Sequence, residues 1–126
     1  MSERYAQGMR IRRKVLGDAH VEAAETDKTA FDEPFQRLIT EAAWGNLWAG
    51  DNLPLRERSM LTIALLAAAG NFDEIAMHIR ATANTGASPT DVMEALLHVA
   101  IYAGMPKANR AIKIARQTYA DMGVEL

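Results

Sequence analysis

The sequence predicts an all-α fold, a single-domain bundle of about six helices. Apolar residues recur at the i, i+3, i+4, i+7 spacing of a helix face, and no stretch keeps the alternation of a strand. Gly and Pro fall mostly at the borders of the periodic segments, where helices stop and start. At 126 residues the chain is long enough for one sizeable core and short for two, so residues 1–126 read as one domain, with 1–28 as a basic helix and arm.

The first segment, Ser2 to Leu16, sets Tyr5, Met9, Ile11 and Val15 among Arg4, Arg10, Arg12, Arg13 and Lys14, and Gly17-Asp18 ends it. That pattern predicts a basic amphipathic helix, whose charged face is either solvated or delivers an Arg to an anionic ligand or a neighbouring subunit. Ala19 to Lys28, small and polar, reads as an ordered loop or arm. From Thr29 to Ala49 the positions Phe31, Phe35, Leu38, Ile39, Ala42, Ala43 and Leu47 predict one helix, with Asp32 and Glu33 where its dipole favours them. Gly45 interrupts it between Trp44 and Trp48, two large aromatics expected to pack in the core or an interface.

Pro54 suits the first turn of a helix running to Gly70, apolar nearly all round in its second half and so expected to be the buried central helix. Asn71-Phe72 begins another, stopped by Gly86. Ser88-Pro89-Thr90-Asp91 is a near capping box opening a helix to Gly104, and Pro106 starts a last helix to about Met122.

Composition excludes several functions. No cysteine is present, which removes disulfides, thiolate metal sites and thiol redox or nucleophilic chemistry. The net charge of -2 and the dispersed Arg and Lys residues give no nucleic-acid stripe. The longest apolar run, Met60 to Gly70, falls short of the roughly 20 residues of a spanning helix, and the charged N-terminus is unlike a signal peptide. A cytoplasmic location, without membrane partners, is the expectation. No phosphate-binding Gly-rich loop or nucleophile elbow appears.

The stretch Asn71 to Gly86 holds the candidate chemistry. A helical reading sets Asn71, Glu74 and His78 on one face. A carboxylate beside an imidazole can fix one tautomer and stabilise the charged form, as general acid–base work needs. The same spacing also occurs in solvated helix pairs worth a few tenths of a kcal/mol, and in metal sites. His20 and His98, the remaining imidazoles, share no motif spacing with it, so no metal is expected. Arg80 lies about 200° around an ideal helix from His78, so its part in a shared pocket depends on a partner element or subunit.

Five segments together resemble the carboxymuconolactone decarboxylase family: RYAQGMRIRRKVLGDAHV (Arg4 to Val21), FDEPFQRLITEAAWGNLW (Phe31 to Trp48), RSMLTIALLAA (Arg58 to Ala68), HIRATANTG (His78 to Gly86) and IYAGMPKAN (Ile101 to Asn109). The first two are the specific ones. The helical core is shared with the alkyl hydroperoxidase D-like superfamily, whose redox cysteines would fall at Asn71 and Glu74 and whose Glu would fall at Ser59. Only His78 of that relay is present, so peroxidase chemistry is excluded.

The resemblance implies loss of CO2 from a small-molecule lactone carboxylate, γ-carboxymuconolactone, giving the β-ketoadipate enol-lactone of protocatechuate catabolism. The substrate's own conjugated carbonyl accepts the electron pair, so no cofactor is implied. It makes His78 and Glu74 the catalytic candidates, with Arg13 and Arg80 for the carboxylates and His20 and Trp44 shaping the pocket. A homo-oligomer, trimer or hexamer, is also implied. Members commonly carry Cys and Ala where Ala103 and Lys107 stand, an Arg near Asn71 and a different loop near Ala49 to Leu53; the changes at Asn71 and Ala103 leave a non-catalytic or differently specific binding or assembly paralogue as the alternative.

Overall fold

The computed structural model describes residues 2–126, and every regular element among them is helical. The chain forms two compact units, Met1–Pro54 and Leu55–Leu126.

The first unit holds α1 (Glu3–Leu16), α2 (Asp18–Asp27), α3 (Glu33–Ile39) and a π-helical segment, Thr40–Trp48. Ser2 caps α1, its hydroxyl accepting from the Tyr5 N–H, and Gly17 ends it at φ 92°, where a side chain would be strained. The arm expected over Ala19 to Lys28 is instead the helix α2. Its weak periodicity buries only Val21, but Ala and Glu are good helix formers and supply the propensity that the missing apolar stripe conceals.

The single helix expected from Thr29 to Ala49 is also revised. Asp32 Oδ1 accepts from the backbone N–H and the hydroxyl of Thr29, making a turn that delays the helix to Glu33. From Thr40 the backbone widens into a π-helix, whose hydrogen bonds step i→i+5. A Cβ on Gly8 would stand 2.0 Å from the Thr40 carbonyl oxygen, and one on Gly45 would stand 2.3 Å from that of Arg4. Glycine at both positions is what lets α1 and the π-segment touch backbone to backbone. Trp44 and Trp48 are buried with ring centroids 5.1 Å apart, the core option of the two expected for them.

The second unit holds α4 (Leu55–Ala69), a 3-10 turn (Phe72–Glu74), α5 (Ile75–Thr85), α6 (Pro89–Tyr102) and α7 (Met105–Asp121). Ile63, Ala67, Ile75, Ile79, Val92, Leu96, Val99, Ala111 and Tyr119 interlock as its core. At roughly 1.5–3 kcal/mol for each large apolar side chain removed from water, this cluster dominates the unit's stability. The capping box is complete, with Ser88 accepting from the Asp91 N–H and Asp91 from the Ser88 N–H. Arg56 of α4 then clasps the same Asp91 at 2.9 and 2.6 Å, tying the starts of α4 and α6 together.

The central helix α4 is not buried all round. Ser59, Ile63 and Ala67 face inward while Leu61 and Leu65 are exposed. Lys107 donates from Nζ to the Ala68 carbonyl at 2.9 Å and so satisfies one of the orphan acceptors at the end of α4. No helix among the described residues is long and apolar enough to cross a membrane.

Candidate active site

His78 and Glu74 meet α5 in different ways. His78 lies inside the helix and is 7% exposed, whereas Glu74 is exposed at the N-cap position, the last residue of the 3-10 turn. Thr82 and Thr85, one and two turns on from His78, continue a buried polar line along α5. The Ser59 and Thr85 hydroxyls are 2.7 Å apart and join α4 to α5. Asn71 has φ -89° and ψ 63° and precedes the turn, so the expected helical face of Asn71, Glu74 and His78 holds only for the last two.

Glu74 opens onto a cavity of about 350 Å³, lined also by Asn71, Phe72, Asp73 and Arg110. The Arg110 guanidinium sits over the Phe72 ring, 5.2 Å from its centroid. Sequence reasoning passed over Arg110, whose neighbour in space is 38 positions away in the chain and which carries no motif. Arg80 points to solvent, and its nearest recorded carboxylate is that of Asp121 at 3.8 Å.

The other three candidates belong to the first unit. Arg13 is held by Glu22 at 2.7 Å and Asp18 at 3.3 Å, and these hydrogen bonds raise its pKa above that of a free guanidinium. His20 is exposed on α2, and Trp44 is buried against Trp48. Arg12, which the sequence places among the basic residues of a solvated face, is 6% exposed. It donates to Thr40 Oγ1 at 3.4 Å and Gln36 Oε1 at 3.3 Å, and burial lowers its pKa. Glu74 lines the cavity and the buried His78, one turn on, does not, while Arg13 is engaged within its own unit.

The chain is thus all-α, with a buried histidine one turn beyond a carboxylate that faces a cavity. The chain belongs to the carboxymuconolactone decarboxylase family, whose model matches residues 33–117. It is similar to the 4-carboxymuconolactone decarboxylase of Acinetobacter baylyi, 39% identical over 122 residues, covering 97% of this chain and 91% of that protein. It is also similar to the nitrosuccinic acid decarboxylase npaB of Metarhizium robertsii, 36% identical over 118 residues, with 94% and 82% covered. A 4-carboxymuconolactone decarboxylase sequence of Pseudomonas putida is 46% identical over 44 residues, 35% of this chain and 92% of that sequence.

Proposed function

We propose that this protein is a carboxy-lyase acting without a cofactor, and that it releases CO2 from 4-carboxymuconolactone in the catabolism of aromatic acids. The observation that carries the reading is the near full-length similarity to a decarboxylase of that name, in a chain that keeps His78 buried within α5. The C–C bond to the carboxylate breaks, and its electron pair runs through the ring double bond to the lactone carbonyl oxygen. A proton then arrives at the ring carbon. In this reading His78 is the donor to that oxygen or the acid, and Glu74 its partner or the carrier of the proton.

Chemistry common to the two relatives' substrates supports this. Nitrosuccinic acid is a dicarboxylic acid whose nitro group can take up the electron pair left by CO2, as the lactone carbonyl does in 4-carboxymuconolactone. In both cases the substrate is the electron sink and a second carboxylate stays behind. The protein's task is then to hold a carboxylate, stabilise a developing oxyanion and move one proton. Arg13 and Arg80 remain candidates for the carboxylates, Arg13 only with release from Asp18 and Glu22, and His20 and Trp44 for shaping the pocket.

The reading treats residues 1–126 as one functional domain, since the family match from 33 to 117 crosses the division between the two compact units. It includes a cytoplasmic location and a homo-oligomer. Phe31, Phe35 and Leu38, at helical spacing, are 95%, 59% and 61% exposed. Leu61 and Leu65 on α4 and Leu97 and Ile101 on α6 are exposed too. Apolar surface of this extent fits burial against further copies of the chain.

The npaB relative supports a second reading, a decarboxylase of another acid with a built-in electron sink. An assay of CO2 release from 4-carboxymuconolactone generated in situ, run beside nitrosuccinate, tests both. Turnover of the lactone alone supports the first reading and turnover of nitrosuccinate alone the second. No release from either by a folded protein leaves the non-catalytic paralogue.

A further inference from the structure

We propose that Arg110 binds the substrate carboxylate that the reaction leaves in place, within the cavity it shares with Glu74 and Asn71. This rests on the decarboxylase reading, and it names a residue to which neither motif nor resemblance points.

Four other arginines are already engaged with carboxylates. Arg13 serves Asp18 and Glu22, Arg37 serves Glu33, Arg56 serves Asp91 and Glu57, and Arg80 stands 3.8 Å from Asp121. Arg110 pairs with no carboxylate among the described residues, rests on the face of Phe72 and lines the cavity beside Glu74. A ring beneath a guanidinium restrains its plane and leaves the edge N–H groups free, the geometry that meets a carboxylate with two parallel hydrogen bonds. The cavity beside it, about 350 Å³, is within the range that admits a small ligand. The Asn71 amide lines the same wall and offers a neutral donor.

The cavity's charge balance links this site to the proposed chemistry. Arg110 faces the cavity together with two carboxylates, Asp73 and Glu74. An anion entering beside Arg110 is met by the cation of this lining, next to Glu74, the proposed proton carrier. Arg110 itself makes and breaks no covalent bond. It holds the ligand so that a carbon of the substrate comes to rest beside Glu74.

The test compares wild type, Arg110→Gln and Arg110→Lys in the lactone assay, with succinate as a competitive dicarboxylate probe. Losing a charge-assisted pair should raise KM and the succinate Ki by about 10-fold or more in Arg110→Gln, with kcat changed much less. Lys, a point charge without the fork, should fall between. Arg116→Gln, on the exposed side of α7, should match wild type. If Arg110→Gln melts early, Phe72→Leu carries the test, and it should raise both constants because the guanidinium loses its platform.

Unchanged KM and Ki in Arg110→Gln would overturn the proposal and leave the decarboxylase reading standing. A fall in kcat alone would overturn it too. If wild type turns over no lactone but binds succinate in an Arg110-dependent way, the site stands and the reaction is wrong. Failure of wild type to bind succinate counts against the site.

Discussion

His78 and Glu74 stand one turn apart at the start of α5, yet the imidazole is 7% exposed and the carboxylate is open to a cavity. The proposed roles, a fixed donor for His78 and a proton carrier for Glu74, rest on this difference in environment.

The contact between α1 and the π-segment depends on two glycines. Gly8→Ala would bring a methyl group to 2.0 Å from the Thr40 carbonyl oxygen, and Gly45→Ala one to 2.3 Å from that of Arg4. Neither neighbour is a flexible side chain, so the helices must part, at a cost of about 1–3 kcal/mol or more for each. Urea unfolding followed by circular dichroism should show the lower midpoint, and an unchanged midpoint would count against the close approach.

Acid should weaken the junction of α4 and α6. Hydrogen bonds from Arg56 and then from the Ser88 N–H hold the Asp91 carboxyl down at about 2, against about 3.9 in an unfolded chain. Its contribution is therefore complete above about pH 4 and is lost as the pH falls through about 2, where the unfolded chain has bound the proton first. Asp91→Asn should flatten the stability profile in that window. Added salt should reduce the difference, because Arg56 is half exposed. Ser88→Ala, which removes the other half of the capping box, should cost about 1 kcal/mol at any pH. A profile of Asp91→Asn parallel to wild type between pH 4 and 2 would contradict the assignment.

Tyr119 is buried, and among the described residues its hydroxyl completes no hydrogen bond of good geometry. Thr82 is near enough to influence it, but burial is the larger effect and pushes the phenol pKa up. The Thr82 hydroxyl already donates to the Ile79 carbonyl. Removing an unsatisfied buried group is close to neutral or stabilising, so Tyr119→Phe should keep or raise the thermal midpoint. A clear fall would mean that Thr82 is a true partner.

If copies of the chain cover the exposed apolar residues, a charge there should separate them. Leu65→Glu and Ile101→Glu change side chains that are 68% and 69% exposed, so each chain should fold with its helix content intact. Light scattering should then give a smaller mass than wild type at equal concentration. Equal masses for both variants would place the interface elsewhere.

What could be read in the sequence was what is decided locally. The Ser88–Asp91 box lies within four residues, and Gly17 and Gly86 stop their helices through their own φ of 92° and 86°. Periodicity placed an apolar stripe on Phe31, Phe35 and Leu38, but a stripe does not say what covers it, and they are exposed. The π-segment was hidden because Trp44 and Trp48 are four apart in an α- or a π-helix alike. The segment packs backbone to backbone on Gly8 and Arg4, a contact that no local spacing announces. Spacing alone marked His78 and Glu74 as neighbours on one helix face, but not that only Glu74 of the two lines the cavity. Arg12 was not legible, because the same basic run holds one arginine that is buried and another tied to Asp18 and Glu22. Arg110 was hidden for a similar reason, since its meaning depends on Phe72.

The most direct test of the central claim is the single-turnover rate of CO2 release from 4-carboxymuconolactone by His78→Gln, with folding checked by circular dichroism. If His78 is the acid or the oxyanion donor, the rate should fall by about 100-fold or more while the variant remains folded. Release at close to the wild-type rate by a folded His78→Gln protein would contradict the account.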